Sequence, residues 1–151
     1  MSRNLPLYSR PLYSAYDVVV VGARAAGAST ALLLARAGLS VLVLDRGQYG
    51  LDTLSTHALM RSGVSRLSRW GVLPALWAAG TPPISSVTFH YGDDAVSVAV
   101  RPGDDVDALC APRRTVLDPA LVDAAVRAGA EVRYGFEVTA LDIDVEGRVV
   151  G

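Results

Sequence analysis

Lysine is missing from this chain: all 14 basic residues among its 151 are arginine. That removes Schiff-base chemistry on a side-chain amine. Cysteine is nearly missing too. Cys110 stands alone, so there is no internal disulfide and no cysteine-based metal cluster. No CxxC surrounds it, and a core residue is expected rather than a redox thiol. Only two histidines occur, His57 and His90. They are too far apart for a zinc-type spacing, and no Ser-His-Asp arrangement follows from the spacing. No apolar run approaches the ~18 residues of a membrane span. The opening residues, MSRNLPLYSRPLYSA, carry PLYS twice but no apolar core of a secretion signal. A flexible leader over residues 1–15 and a cytoplasmic location are expected. Charge of one sign is also lacking: the net charge is −1, which argues against a nucleic-acid partner.

What is present is a globular composition, 51% hydrophobic and 19% charged, of a size for one ordinary domain. Its most informative stretch is YDVVVVGARAAGASTALLLARAGLSVLVLDR, residues 16 to 46. Val18 to Val21 form a β-branched run, which suits a strand covered on both faces of a parallel sheet. Gly22 ends that strand where a side chain would obstruct a turn. Ala23, Ala25 and Ala26 keep the turn small, and Gly27 sits where a helix must pass close to the strand. Ala28 to Ala37 supply an apolar, buried helix, capped by Gly38. Val41 to Leu44 form a second buried strand, and Asp45 stands at its end. Strand, glycine turn, helix, strand and acid make the first half of a dinucleotide-binding βαβ unit. Gly22 and Asp45 are 23 positions apart, close to the ~20 such a unit requires.

The fingerprint G-x-G-x-x-G reads here Gly22-Ala23-Arg24-Ala25-Ala26-Gly27, with arginine in place of the second glycine. Arg24 either folds outward or pairs with a phosphate. Asp45 has two readings as well. It accepts hydrogen bonds from ribose hydroxyls, or it caps a neighbouring turn.

Beyond Asp45 the pattern is mixed. A helix is expected over 57–70, with Leu59, Met60, Val64 and Leu67 inward and Ser55 or Thr56 as its cap. Pro74 opens a short helix to Ala79, and Gly80-Thr81-Pro82-Pro83 breaks it. Val87, Phe89 and Tyr91 alternate with Thr88 and His90, and Val96, Val98 and Val100 with Ser97 and Ala99, on either side of Gly92-Asp93-Asp94. That predicts a β-hairpin with one wet face, which leaves His90 exposed. Leu109 to Ala111 suit a short strand. A helix follows, with Thr115 or Asp118 as cap and Pro119 in its first turn. Strands are expected at 131–134 and 137–143, the second turning at Glu146-Gly147 into Arg148-Val149-Val150. The fold class is therefore α/β: a Rossmann-like βαβ unit with a parallel sheet, plus an antiparallel hairpin layer. With Gly151 in a hairpin arm, the domain is expected to be incomplete.

With these segments placed, residues 16–151 resemble the FAD-dependent oxidoreductases of the aromatic-hydroxylase and geranylgeranyl-reductase superfamily. Three stretches carry the resemblance: DVVVVGARAAGASTALLLARAGLSVLVLDR, LSRWGVLPALWAAGTPP and APRRTVLDPALVDAAVRAGAEVRYGFEVTAL. The GAR turn with DTLSTH downstream is similar to a bacterial branch labelled flavin-dependent dehydrogenase. Family members typically carry Glu where this chain has Asp45, which keeps the acceptor and shortens its reach. The resemblance implies FAD as cofactor. Gly22, Ala23, Arg24, Ala25, Ala26 and Gly27 would surround the pyrophosphate. Asp45 would hold the adenosine ribose with Arg46 beside it, Arg114 would reach the cofactor ahead of its helix, and Val138 would sit beside the adenine. Of the adjacent pair Arg113 and Arg114, one is expected to face the cofactor and the other solvent. Ser55, Thr56 and His57 would lie where the family's chain passes near the flavin. Two further family motifs, near the ribityl chain, come later than residue 151 in the family's order.

The leading function is thus the FAD-binding portion of a flavin-dependent oxidoreductase of the monooxygenase type, with NAD(P)H as a candidate reductant. Two alternatives stay open: an NAD(P)-binding Rossmann domain, which shares the fingerprint, and a truncated, non-catalytic nucleotide-binding module.

Overall fold

The computed structural model describes residues 15–55, 58–103 and 106–151. In chain order its elements are β1 (Val18–Val21), α1 (Ala25–Arg36), β2 (Val41–Asp45), α2 (Arg61–Arg69), α3 (Leu73–Ala78), β3 (Pro83–Ile84), β4 (Ser86–Tyr91), β5 (Asp94–Ala99), β6 (Leu109–Cys110), α4 (Arg114–Arg127) and β7 (Glu131–Tyr134). Contacts divide the chain into two units. One holds the described residues up to Tyr49 together with Leu121–Gly151; the other holds Gly50–Ala120. The expected leader, residues 1–15, lies outside the described residues except for Ala15.

The first unit is built on a parallel sheet in the order β1-β2-β7. Its register pairs Val18 with Val41 and Val20 with Val43, then Val43 with Val132. Side chains alternate across the sheet. On one side Val41 and Val43 are buried, as are Ala28, Ala31, Leu32 and Ala35 of α1. On the other side of β1, Val19 and Val21 are 53% and 62% exposed. The expectation that β1 is covered on both faces is corrected here. Among the described residues β1 is an edge strand and α1 covers one side of it. The central strand, β2, is buried throughout Val41 to Val43. Helix α1 ends as the sequence indicates, with Gly38 just past the C-cap at φ +88°, a conformation that favours glycine.

A buried ion pair fastens the open side of this sheet. Arg133 on β7 is 2% exposed, and its Nε donates to Glu131 Oε1 at 2.7 Å. Glu131 Oε2 accepts from the Tyr16 hydroxyl at 2.7 Å, so the residues entering β1 are tied to β7 across β2. At the same end, the Asp17 carboxylate accepts from the Ser40 hydroxyl and the Ser40 N–H, each at 2.7 Å. The Ser40 side chain, then its backbone, hold the Asp17 carboxyl below its usual value.

After β7 the structure departs from the sequence reading. No strand forms over 137–143. One isolated bridge joins Ile143 to Val149, and Asp144 Oδ1 accepts from the N–H groups of Glu146 and Arg148 to make the turn. Leu141, Ile143, Val149 and Val150 are exposed, so no buried face organises this segment into a ladder.

In the second unit, α2 starts at Arg61, four residues later than expected. Leu59 instead donates its N–H to Cys110 O at 2.7 Å. Val64, Val106 and Cys110 form a buried cluster, with Leu59, Leu73 and Trp77 packed against it. Met60, expected inward, is exposed. Strands β3 and β6 pair antiparallel, Pro83 with Cys110 and Ile84 with Leu109. The expected β4–β5 hairpin forms, with Val87 opposite Val98 and Phe89 opposite Val96; Asp94, expected in the turn, instead pairs with Tyr91. The hairpin is exposed on both faces, not one. Helix α4 begins at Arg114, ahead of both expected caps. This places Pro119 inside it rather than in its first turn.

Glu131→Ala leaves the Arg133 guanidinium buried without its carboxylate. The expected cost is about 3–5 kcal/mol, read as a lower urea midpoint at unchanged slope. A second test concerns acid. A depressed carboxyl contributes stability above its unfolded value, near 3.9, and that contribution fades as pH falls through the lower folded value. Ser40→Ala is therefore expected to raise the Asp17 titration midpoint seen by NMR and to bring its loss of stabilisation to higher pH.

Candidate functional site

The glycine turn lies at the C-terminal end of the parallel strands, where open α/β sheets bind their ligands. Gly22 has φ +97°, a region that L side chains rarely adopt. Its N–H donates to Leu44 O at 2.7 Å, which fixes the turn to β2. A Cβ built on Gly22 would meet nothing within 4 Å, so conformation, not crowding, requires glycine there, and the space beside it is open. Gly27 is the reverse case. A Cβ there would stand 1.8 Å from Gly22 O and 3.2 Å from Val20 Cγ1. The first turn of α1 rests directly on the end of β1.

Arg24 is the N-cap of α1, with φ −82° and ψ −171°. That is ordinary extended backbone, which explains why this turn accommodates an arginine where the fingerprint has a glycine. Its carbonyl accepts the first helical bond, from Ala28 N–H at 2.8 Å. No side chain caps α1, and no acid stands in its first turn. The partial positive charge of the helix start is therefore not offset by a carboxylate of that turn.

Asp45 is where the structure adds most. Its Oδ2 accepts from Ala23 N–H, and its Oδ1 from Gly47 N–H, each at 2.7 Å. The carboxylate caps the neighbouring turn, and a carboxylate has lone pairs beyond these two bonds. The exit of β7 lies alongside: Phe136 N–H donates to Asp45 O, and Gly135 N–H to Gly47 O, both at 3.1 Å. The chain then leads to Val138, which is half-buried. The structure thus brings together Gly22 to Gly27, Asp45 and the segment leading to Val138. Arg46 is mostly exposed and stands 3.8 Å from Glu137, a surface pair of little energetic weight.

The remaining sequence candidates lie in the second unit. Arg114 binds Asp118 through Nε, at 3.0 and 3.1 Å, and through a terminal nitrogen at 2.9 Å. Arg113 pairs with Asp52 and is largely exposed. Ser55 does not cap α2, whose N-cap is Met60 with no side-chain bond. Thr56 and His57 lie outside the described residues. His90 is exposed, as expected. Cys110 is fully buried, and burial pushes its thiol up from the usual value, which makes it a poor nucleophile. Among the described residues no cluster of metal-ligating side chains forms, and no helix is long and apolar enough to cross a membrane. Sequence reasoning missed Gly47. The signal was present in Asp45-Arg46-Gly47, because an aspartate commonly accepts from the N–H two residues on.

Comparison with known proteins agrees with this geometry. The family model described as FAD binding domain matches residues 15–149. The chain is 32% identical over 139 residues to a menaquinone reductase of Mycolicibacterium smegmatis, covering 88% of this chain and 32% of that protein. It is 34% identical over 142 residues to digeranylgeranylglycerophospholipid reductase 2 of Methanopyrus kandleri, covering 90% and 32%. Among solved structures it is similar to the flavin-dependent brominase Bmp2, with a TM-score of 0.74 at 25% identity over 90% of this chain and 33% of that one. The chain spans about a third of the length of these relatives.

Gly27→Ala tests the contact between helix and strand. A Cβ at 1.8 Å from a backbone carbonyl forces α1 away from β1. The expected cost is at the upper end of overpacking, about 3 kcal/mol, measured by denaturant titration. A loss below about 0.5 kcal/mol would show that the turn yields without strain.

Proposed function

The chain belongs to the FAD binding domain family, and we propose that it holds the ADP moiety of FAD in the N-terminal part of a flavin-dependent oxidoreductase of the monooxygenase type. The observation that carries this is the glycine turn: a positive-φ Gly22 with open space beside it, and a helix start with no carboxylate of its own. The residues present fit a pyrophosphate. Backbone N–H groups at the start of α1 supply donors, and the helix dipole favours an anion. Gly22, Ala23, Arg24, Ala25, Ala26 and Gly27 would surround it. Asp45 would offer its remaining lone pairs to the ribose, Arg46 would stand at the rim, and Val138 would flank the adenine.

When bound, FAD supplies the redox chemistry. The chain's residues bind and orient it. NAD(P)H is the proposed reductant, and the cytoplasmic location expected from the sequence is carried in the same proposal. Two relatives have menaquinone and a digeranylgeranylglycerophospholipid in their names, and these are the first substrates to test with the whole protein.

A fluorescence titration with FAD tests the site. The dipole of α1 contributes only about 0.3–1 kcal/mol, up to ~2 when partly buried, so the 151-residue chain is expected to bind FAD weakly and to release it to excess ADP. Gly22→Val is expected to abolish binding, because valine resists positive φ and would fill the open space. Unchanged FAD binding by Gly22→Val, or no competition from ADP, would remove the turn from the site.

A further inference from the structure

Both oxygens of Asp45 are engaged by the protein's own backbone. Oδ2 reaches across to Ala23 N–H in the glycine turn, and Oδ1 accepts from Gly47 N–H in the loop leaving β2. Backbone bonds continue the chain of contacts: Gly47 O accepts from Gly135 N–H, and Asp45 O from Phe136 N–H. The carboxylate therefore joins the turn to the exit of β2, and backbone bonds join that exit to the exit of β7; these three segments frame the proposed nucleotide site. Gly47 has its own constraint. It lacks a positive φ, yet a Cβ there would stand 3.1 Å from Asp45 Oδ1. The absent side chain leaves room for the carboxylate.

The side-chain length matters. Asp45 ends one methylene sooner than a glutamate would, and at that length its Oδ2 meets the Ala23 amide at 2.7 Å. An ionised carboxylate accepts N–H bonds strongly, and Ala23 is buried, so water competes poorly for that donor.

We propose that Asp45, steadied by Gly47, is a positioning residue: it sets the shape of the glycine turn before any nucleotide arrives. Its effect on nucleotide affinity runs through the Ala23 amide in addition to any contact with the sugar. The inference rests on the ADP site proposed above.

Two measurements on the 151-residue chain test it. The first is amide hydrogen exchange without nucleotide. Ala23 and Gly47 are expected to be protected in the wild type, and Ala23 to exchange at least tenfold faster in Asp45→Ala. Gly47→Ala keeps the carboxylate but displaces it, and is expected to speed Ala23 exchange in the same direction. The second is binding of ADP and of 2′,3′-dideoxy-ADP, which lacks the ribose hydroxyls. Asp45→Ala is expected to weaken both at least fivefold. An affinity loss confined to ADP, with Ala23 exchange unchanged, would make Asp45 a sugar acceptor only and overturn the proposal. So would faster exchange with no loss of affinity for either nucleotide. If Asp45→Ala does not fold, unprotected Ala23 in the wild type, or unchanged Ala23 exchange in Gly47→Ala, overturns it. If the wild type binds neither nucleotide, the ADP site and the affinity part of this proposal fall together, while the exchange data still decide whether Asp45 shapes the turn.

Discussion

The contact between Gly27 and the carbonyl of Gly22 is the constraint on which the rest of the site depends. A helix can start this close to the end of a strand only where one residue has no side chain and another turns through positive φ. Once α1 rests on β1, its N-terminus points along the C-terminal edge of the sheet. Parallel pairing then brings the ends of β2 and β7 to that same edge. Asp45 and the path to Val138 arrive there because of strand direction, not because of local sequence.

The electrostatics of the site follow from backbone more than from side chains. Arg46 and Glu137 are exposed and 3.8 Å apart, so solvent screens them. What the site has in a fixed position is the start of α1 and the amides of its first turn. Such preset dipoles need little rearrangement to meet an anion, whereas a mobile surface arginine must first be ordered.

Much of this was legible in the sequence, and for a physical reason. Gly22, Gly27, Gly38 and Asp45 each answer a local backbone requirement, and local requirements leave fixed spacings. The β4–β5 hairpin was legible because alternation on either side of a Gly-Asp turn marks one. Cys110 was read as core because nothing near it suited chemistry. Other features depended on tertiary contacts. The late start of α2 reflects Leu59 pairing with Cys110, fifty-one positions later, which no helical period announces. Residues 137–143 alternate well enough for a strand, yet Leu141 and Ile143 are left exposed and no buried face holds the segment in a ladder. The burial of Arg133 was hidden because Tyr16, which binds its strand neighbour Glu131, lies 115 positions away in sequence. At Asp45 the sequence left two roles open, and the structure shows the turn-capping one in place.

The β4–β5 ribbon bears on how the chain behaves in bulk. One face carries Val87, Phe89, Tyr91, Val96 and Val98, all substantially exposed, and among the described residues each strand has a single neighbour. Backbone donors and acceptors along its outer edges are open to another strand, and the apolar face rewards any surface that excludes water from it. With a net charge of only −1, long-range repulsion does little to hold molecules apart. Colloidal behaviour should therefore follow the ribbon rather than the βαβ unit: light scattering that grows with concentration, and solubility that improves when Phe89 or Val98 is made polar while the nucleotide-binding end is left alone.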